Sequence, residues 1–122
     1  MSLRTLDDLG DVAGKRVFVQ TERFASGPDG ATVDAEGLVW TVLVRIGKLA
    51  RFAPDGSLDR LVDLPATYPT SLCFGGKGLE TAYVTSISKS TQLAGEKPDD
   101  GALFAVNGLP AAGVEAHRFA DA

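Results

Sequence analysis

Two Pro-Asp-Gly triplets, Pro28-Asp29-Gly30 and Pro54-Asp55-Gly56, put a carboxylate where a backbone bends. A carboxylate oxygen is a hard ligand suited to calcium, and it can also take a proton from an attacking water. The same triplet is preferred turn chemistry in any protein, because proline presets φ, aspartate bonds its own backbone and glycine tolerates positive φ. On chemistry alone both triplets read as turns. Cys73 sits in the apolar run Leu72-Cys73-Phe74 and reads as a small buried hydrophobe, not a nucleophile. His117 is the only histidine, and it reads as a surface residue on a last strand. No Gly-x-Ser-x-Gly elbow supports a serine hydrolase, and no Cys/His spacing suggests structural zinc.

Composition narrows the function classes. The 122 residues suffice for one small domain. Apolar residues make up 44% and charged ones 23%, ordinary globular values. A net charge of -4, with no cluster of Lys or Arg, argues against a nucleic-acid partner. One cysteine cannot form an internal disulfide, and Asp7 and Asp8 stand where a signal peptide would be apolar. No apolar run approaches the roughly 18 residues of a membrane span. These features lead to the expectation of a soluble, cytoplasmic protein.

The elements that must position any site are short and β-rich. Fourteen glycines and six prolines punctuate runs of Val, Ile, Phe, Tyr and Trp. The expected strands are 16–20, 31–34, 38–44, 48–53, 58–64, 70–74, 81–86, 102–107 and 116–119. No segment keeps a 3.6-residue apolar period for three turns; residues 3–9 allow one helical turn at most. The chain reads as all-β.

The runs also repeat. Pro28 to Val33, a turn at Ala35-Glu36-Gly37 and the strand Leu38-Val39-Trp40-Thr41 match Pro69 to Phe74, a turn at 75–78 and Ala82-Tyr83-Val84-Thr85. The two prolines lie 41 residues apart, and each unit continues with another apolar strand, Leu49 to Phe52 and Leu103 to Val106. Four strands every 40 residues or so is the period of a propeller blade. A β-sandwich is the alternative, but it has no reason to repeat its turn chemistry. Two four-stranded blades, about 31–64 and 70–119, are expected to pack face to face, with 16–20 as the outer strand of a third. Trp40 and Tyr83 take equivalent places and read as blade packing. Propellers close with roughly four to eight blades, so two leave open flanks where the chain is expected to self-associate.

The 28–40 block, Pro-Asp-Gly-Ala-Thr-Val-Asp-Ala-Glu-Gly-Leu-Val-Trp, resembles the most characteristic block of the SMP-30/gluconolactonase/LRE-like family. Gly47 to Phe52 with Pro54-Asp55-Gly56 continues it. Pro69-Thr70-Ser71 with Phe74-Gly75-Gly76, then Tyr83-Val84-Thr85-Ser86, then Gly101-Ala102-Leu103-Phe104 follow in the family's order. The resemblance covers about residues 16–120, leaving 1–15 as an extension outside it. It implies the C-terminal part of a six-bladed β-propeller that hydrolyses sugar lactones or related esters. It further implies a divalent cation, calcium or zinc, in the central channel. The family's ligands are a glutamate near its N-terminus, a central asparagine and the aspartate of the Pro-Asp-Gly block. Only the last maps here, onto Asp29, which the resemblance makes both metal ligand and catalytic residue.

Strand direction places Asp29, residues 45–48, 69–71 and the long loop 87–100 at one end of the blades. Arg45 and Lys48 read as exposed turn charges rather than as anchors for an anionic sugar acid. Loop 87–100 reads either as a lid or as a mobile connection. The opening Thr5-Leu6-Asp7-Asp8 with Gly14-Lys15-Arg16-Val17 resembles the start of phosphoglycerate kinase and stops before any of its substrate-binding parts. A rearranged or mis-joined reading frame would account for such a junction. The competing functional reading is a non-catalytic propeller remnant or assembly module.

Overall fold

The computed structural model describes residues 1–118 and 120. Among the described residues, nine strands form three antiparallel sheets. Strands β1 (Ser2–Leu6) and β2 (Val12–Val17) make a hairpin. Strands β3 (Pro28–Val33), β4 (Val39–Leu43), β5 (Lys48–Phe52) and β6 (Leu58–Asp63) make a four-stranded sheet in sequential order. Strands β7 (Pro69–Gly75), β8 (Thr81–Ser86) and β9 (Phe104–Val106) make the third. Only short 3-10 turns interrupt them, and no helix among the described residues is long and apolar enough to cross a membrane. The chain is all-β, as its runs of branched and aromatic residues require.

The central sheet is covered on both faces, which explains why β4 and β5 are apolar almost throughout. Trp40, Val42 and Leu49 pack against Leu72 and Val84 of the third sheet. Leu43, Ala50 and Phe52 pack the other way, against Phe18 and Val19, with Leu3 and Phe24 alongside. Strand β7 is covered on one face only and therefore alternates: Leu72 is buried, while Ser71 and Cys73 are exposed. The expected burial of Cys73 is thus corrected. Its neighbours Leu72 and Phe74 take the inward face, so the pleat turns Cys73 outward. Trp40 and Tyr83 do stand at matching registers, opposite Thr32 and Cys73 respectively.

Several elements depart from the expected bounds. Residues 3–9 hold no helical turn, because Ser2–Leu6 pairs with β2 and Leu3 joins the second cluster. The strand expected at 16–20 ends at Val17. Phe18 and Val19 are both buried in that cluster, which consecutive strand residues on opposite faces could not achieve. Among the described residues the third sheet has three strands where four were expected. After β9 the chain turns back beneath both sheets: Ala35 N donates to Ala112 O at 2.8 Å and Gly113 N to Leu79 O at 2.8 Å. Leu109 and Ala111 enter the first cluster. Residues 116–118 are irregular, His117 is exposed and off any strand, and Phe119 lies outside the described residues.

A buried polar network ties the central sheet together just past the end of β3. Asp34 Oδ1 accepts the Glu36 and Leu38 amides at 3.0 Å each, closing the turn into β4. Asp34 Oδ2 accepts Trp40 Nε1 at 2.8 Å and Arg51 Nε at 2.8 Å. Arg51, on β5, reaches further to Glu36 and to Asp59 on β6. Burial works to raise the Asp34 pKa, but the bonds from Arg51, Trp40 and Leu38 outweigh it and hold the carboxyl below its ordinary value. Burial likewise opposes the Arg51 charge, and Glu36 and Asp34 overcome it, raising its pKa.

Removing Asp34 leaves Arg51 only its more exposed partners Glu36 and Asp59, and leaves the Trp40 indole and the Glu36 and Leu38 amides without their acceptor. Asp34→Ala is expected to cost about 3–5 kcal/mol in urea unfolding, a large share of a small domain's stability. Because the folded pKa of Asp34 is depressed, its contribution is complete above the ordinary carboxylate value of about 4 and disappears as pH falls through the lower folded value. Wild type is expected to lose stability below pH of about 4 more steeply than Asp34→Ala, in a pH series of unfolding curves.

Candidate functional site

The two Pro-Asp-Gly triplets fold differently. At Pro54-Asp55-Gly56 the aspartate makes a turn: Asp55 Oδ1 accepts Ser57 N at 2.9 Å and Ser57 Oγ at 2.6 Å. These bonds, the Ser57 side chain's first, lower the Asp55 pKa. Gly56 has φ +87° and lies against the Phe18 carbonyl, so this hairpin tip is a packed turn. At Pro28-Asp29-Gly30 the triplet lies inside β3 instead. Pro28 pairs with Leu43 and Ala31 with Thr41, so two residues of β3 face one of β4. This is a β-bulge, a device that re-aims a side chain at the end of a strand. The buried hydroxyl of Thr41 serves the displaced backbone, donating to Gly30 O at 3.1 Å and Asp29 O at 3.5 Å. The Asp29 side chain is left exposed.

Gly30 is needed for a reason unrelated to turns. A Cβ there would lie 2.2 Å from Ser71 Oγ and 2.6 Å from Ser71 Cα. The innermost strands β3 and β7 therefore approach closely at the bulge, with Asp29 beside their junction. Strand β7 carries the matching irregularity, since Pro69 pairs with Ser86 and Ser71 with Thr85.

The same end gathers the loops that strand direction placed there. Leu43 ends β4 opposite Pro28, and the corner 44–47 follows. Leu64 N donates to Gly47 O at 2.9 Å, and a Cβ on Gly47 would lie 2.6 Å from Ala66 O. Connector 64–68 thus runs against that corner. Arg45 is exposed, and its amide donates to the buried Ser26 Oγ at 2.9 Å. Lys48 is paired with Asp63 directly across β5 and β6, a cross-strand ion pair of the sheet edge. Neither converges with Asp29 into a cluster. Among the described residues no group of three or more His, Cys, Asp or Glu side chains is placed to hold a metal ion. Calcium takes six to eight oxygens, so Asp29 by itself does not make a calcium site.

Two polar groups escaped the motif reading. Asp34 closes a run of strand residues, and its one sequence signal is Asp-x-Glu-Gly, a carboxylate immediately before a turn. Asp100 lies in Asp99-Asp100-Gly101, which reads only as loop, yet it accepts Thr67 N at 2.8 Å across 33 residues of sequence.

Comparison with known proteins identifies the family and the fold. The model of the SMP-30/Gluconolactonase/LRE-like region matches residues 3–88. Regucalcin of Gallus gallus is 33% identical over 114 residues, covering 91% of this chain and 38% of the relative. A 6-deoxy-6-sulfogluconolactonase of Pseudomonas putida is 33% identical over 103 residues, 82% of this chain and 35% of the relative. Among solved structures, a calcium-binding protein, regucalcin, from Agrobacterium tumefaciens superposes with a TM-score of 0.78 at 25% identity, over 91% of this chain and 39% of that one. A luciferin-regenerating enzyme gives a TM-score of 0.75 at 25% identity, over 91% and 38%. The chain spans about two fifths of the length of these relatives, and its sheets are blades of a β-propeller fragment. This chain belongs to the SMP-30/gluconolactonase/LRE-like family.

Proposed function

We propose that this chain is the C-terminal part of a lactone-hydrolysing propeller, to whose reaction centre it contributes Asp29. One observation carries the reading: the 28–30 triplet does not serve as a turn. Its glycine permits the close approach of β3 and β7, and its bulge leaves a carboxylate exposed where the innermost strands meet. A relative of similar sequence is a 6-deoxy-6-sulfogluconolactonase, which supports a small lactone as substrate. An exposed carboxylate at that position can accept the proton of a water attacking the lactone carbonyl. The calcium or zinc implied by family resemblance would need ligands beyond those of this chain, since a single carboxylate falls far short of a cation's coordination shell.

The second reading is a segment without activity of its own, and the lack of a metal-holding cluster among the described residues favours it for the chain in isolation. The flank of the third sheet supports the same view. Leu103 is 64% exposed there, beside Cys73, Tyr83 and Thr85. The hairpin at the other side exposes Leu6, Val12 and Val17. Open flanks of this kind template association.

Four outcomes are expected. The isolated chain gives no lactone hydrolysis above background with calcium or zinc added, and sedimentation shows association rising with concentration. Metal-dependent turnover by the pure chain, lost in Asp29→Ala, would refute the first; a concentration-independent monomer would refute the second. When the missing blades are supplied as a fusion, Asp29→Ala removes hydrolysis, falling by about a hundredfold or more. Asp55→Ala in the same fusion, at a turn with the same triplet, leaves kcat within about twofold. Equal losses in the two variants mean that both triplets are structural only.

A further inference from the structure

Seventeen residues separate β8 from β9, a length at which a connection is usually functional or disordered. This one is wound around a single carboxylate. Asp100 Oδ1 accepts Thr67 N at 2.8 Å, and Asp100 Oδ2 accepts Thr67 Oγ1 at 2.5 Å and Lys97 N at 2.9 Å. Thr67 Oγ1 in turn accepts Glu96 N at 3.3 Å, and Lys97 Nζ donates to Leu64 O at 3.4 Å. The loop's base is closed by Ser86 Oγ, which takes the Gly101 amide at 2.9 Å and donates to Ala102 O at 3.0 Å. Its tip is braced by Gly95 N donating to Ser88 O at 2.8 Å and Ser90 N to Leu93 O at 2.7 Å.

Sterics agree with this winding. A Cβ on Gly95 would lie 2.5 Å from Asp100 Cβ and Oδ2, so the loop passes as close to the carboxylate as a backbone can. Gly101 takes φ +95°, with Ser88 Cβ 2.7 Å from where its own Cβ would stand. The partner of the carboxylate, Thr67, belongs to connector 64–68, which lies against the Gly47 corner at the Asp29 end. A continuous line of contacts therefore runs from the long loop through Thr67 and Ala66 to the corner bearing Arg45. Lys89, Ser90 and Gln92 are exposed along the loop, side chains suited to hydrogen-bonding a hydroxylated ligand.

We propose that Asp100 is a positioning residue: it latches loop 87–103 to connector 64–68 and holds the loop as a fixed rim of the Asp29 end, where it limits which hydroxylated lactone fits. The rim role rests on the lactone reading; the latch does not. The alternative of a mobile connection conflicts with a carboxylate satisfied by three donors from two separate segments.

Amide hydrogen exchange on the whole chain tests the latch. In Asp100→Ala the amides of Thr67, Glu96, Lys97 and Gly101 are expected to exchange about tenfold or more faster, while strand amides of β7 and β8 keep their protection. Thr67→Val, which puts a methyl group in place of the hydroxyl, is expected to loosen Glu96 and Lys97 and spare the amide of position 67, whose bond to Asp100 Oδ1 needs no hydroxyl. Loop amides that exchange alike in wild type and Asp100→Ala overturn the latch. So does protection lost throughout β7 and β8 in both variants, because Asp100 would then hold the sheet and not the loop. On the propeller completed with its missing blades, Asp100→Ala is expected to raise KM for a sugar lactone with kcat unchanged, the pattern of lost ground-state binding. An unchanged KM overturns the rim role. A completed wild-type propeller that hydrolyses no lactone overturns the lactone reading and the rim with it, and the exchange data still decide the latch.

Discussion

The carboxylate of Asp34 is the point on which the central blade depends. It is the acceptor for a turn, an indole and a guanidinium at once, and through Arg51 it reaches β6. Each of these groups is costly to bury without a partner. Together they fix how β3, β4, β5 and β6 meet at one end of the sheet, because none can shift without breaking a bond in a water-poor interior. The returning chain at Gly113 bridges to the same aspartate, so the third sheet is tied to this point as well.

The two ends of β3 differ in how their polar groups are satisfied. Asp34, the residue just past β3, lies five residues from Asp29, roughly 16 Å at most at the rise of a strand. At the Asp34 end the sequence is satisfied internally. At the Asp29 end the backbone is bulged, the inner strands touch through a glycine, and the carboxylate is exposed. Under the function proposed above, the two aspartates of the 28–40 block divide the tasks: Asp29 serves the reaction centre, and Asp34 holds the blade together.

The blade interface also shows why the repeat was readable. Trp40 faces the next blade, stacked edge-on against Phe74 at 5.9 Å, and Tyr83 at the matching register faces the uncovered side. One position thus does the same job twice, once with a partner present and once without. The pleat that makes this regular also explains the misreading of Cys73. A run such as Leu72-Cys73-Phe74 looks uniformly apolar in sequence, and only the number of covered faces decides whether its middle residue is inside.

The amino-acid sequence by itself determined the all-β class, the blade repeat, most strands of the two blades and the family, because alternation, turn residues and spaced blocks are local properties of the chain. It also marked Asp29, though not what separates it from Asp55. That difference belongs to tertiary structure: Gly30 must admit Ser71, forty-one residues away, while Gly56 serves a hairpin tip. The loss of a fourth strand to a returning strap, the joining of Asp34 to Arg51 and the grip of Asp100 on Thr67 were likewise decided only by folding. In each case the partner lies on a different element, and long-range complementarity of a buried polar group leaves no periodic trace in the sequence.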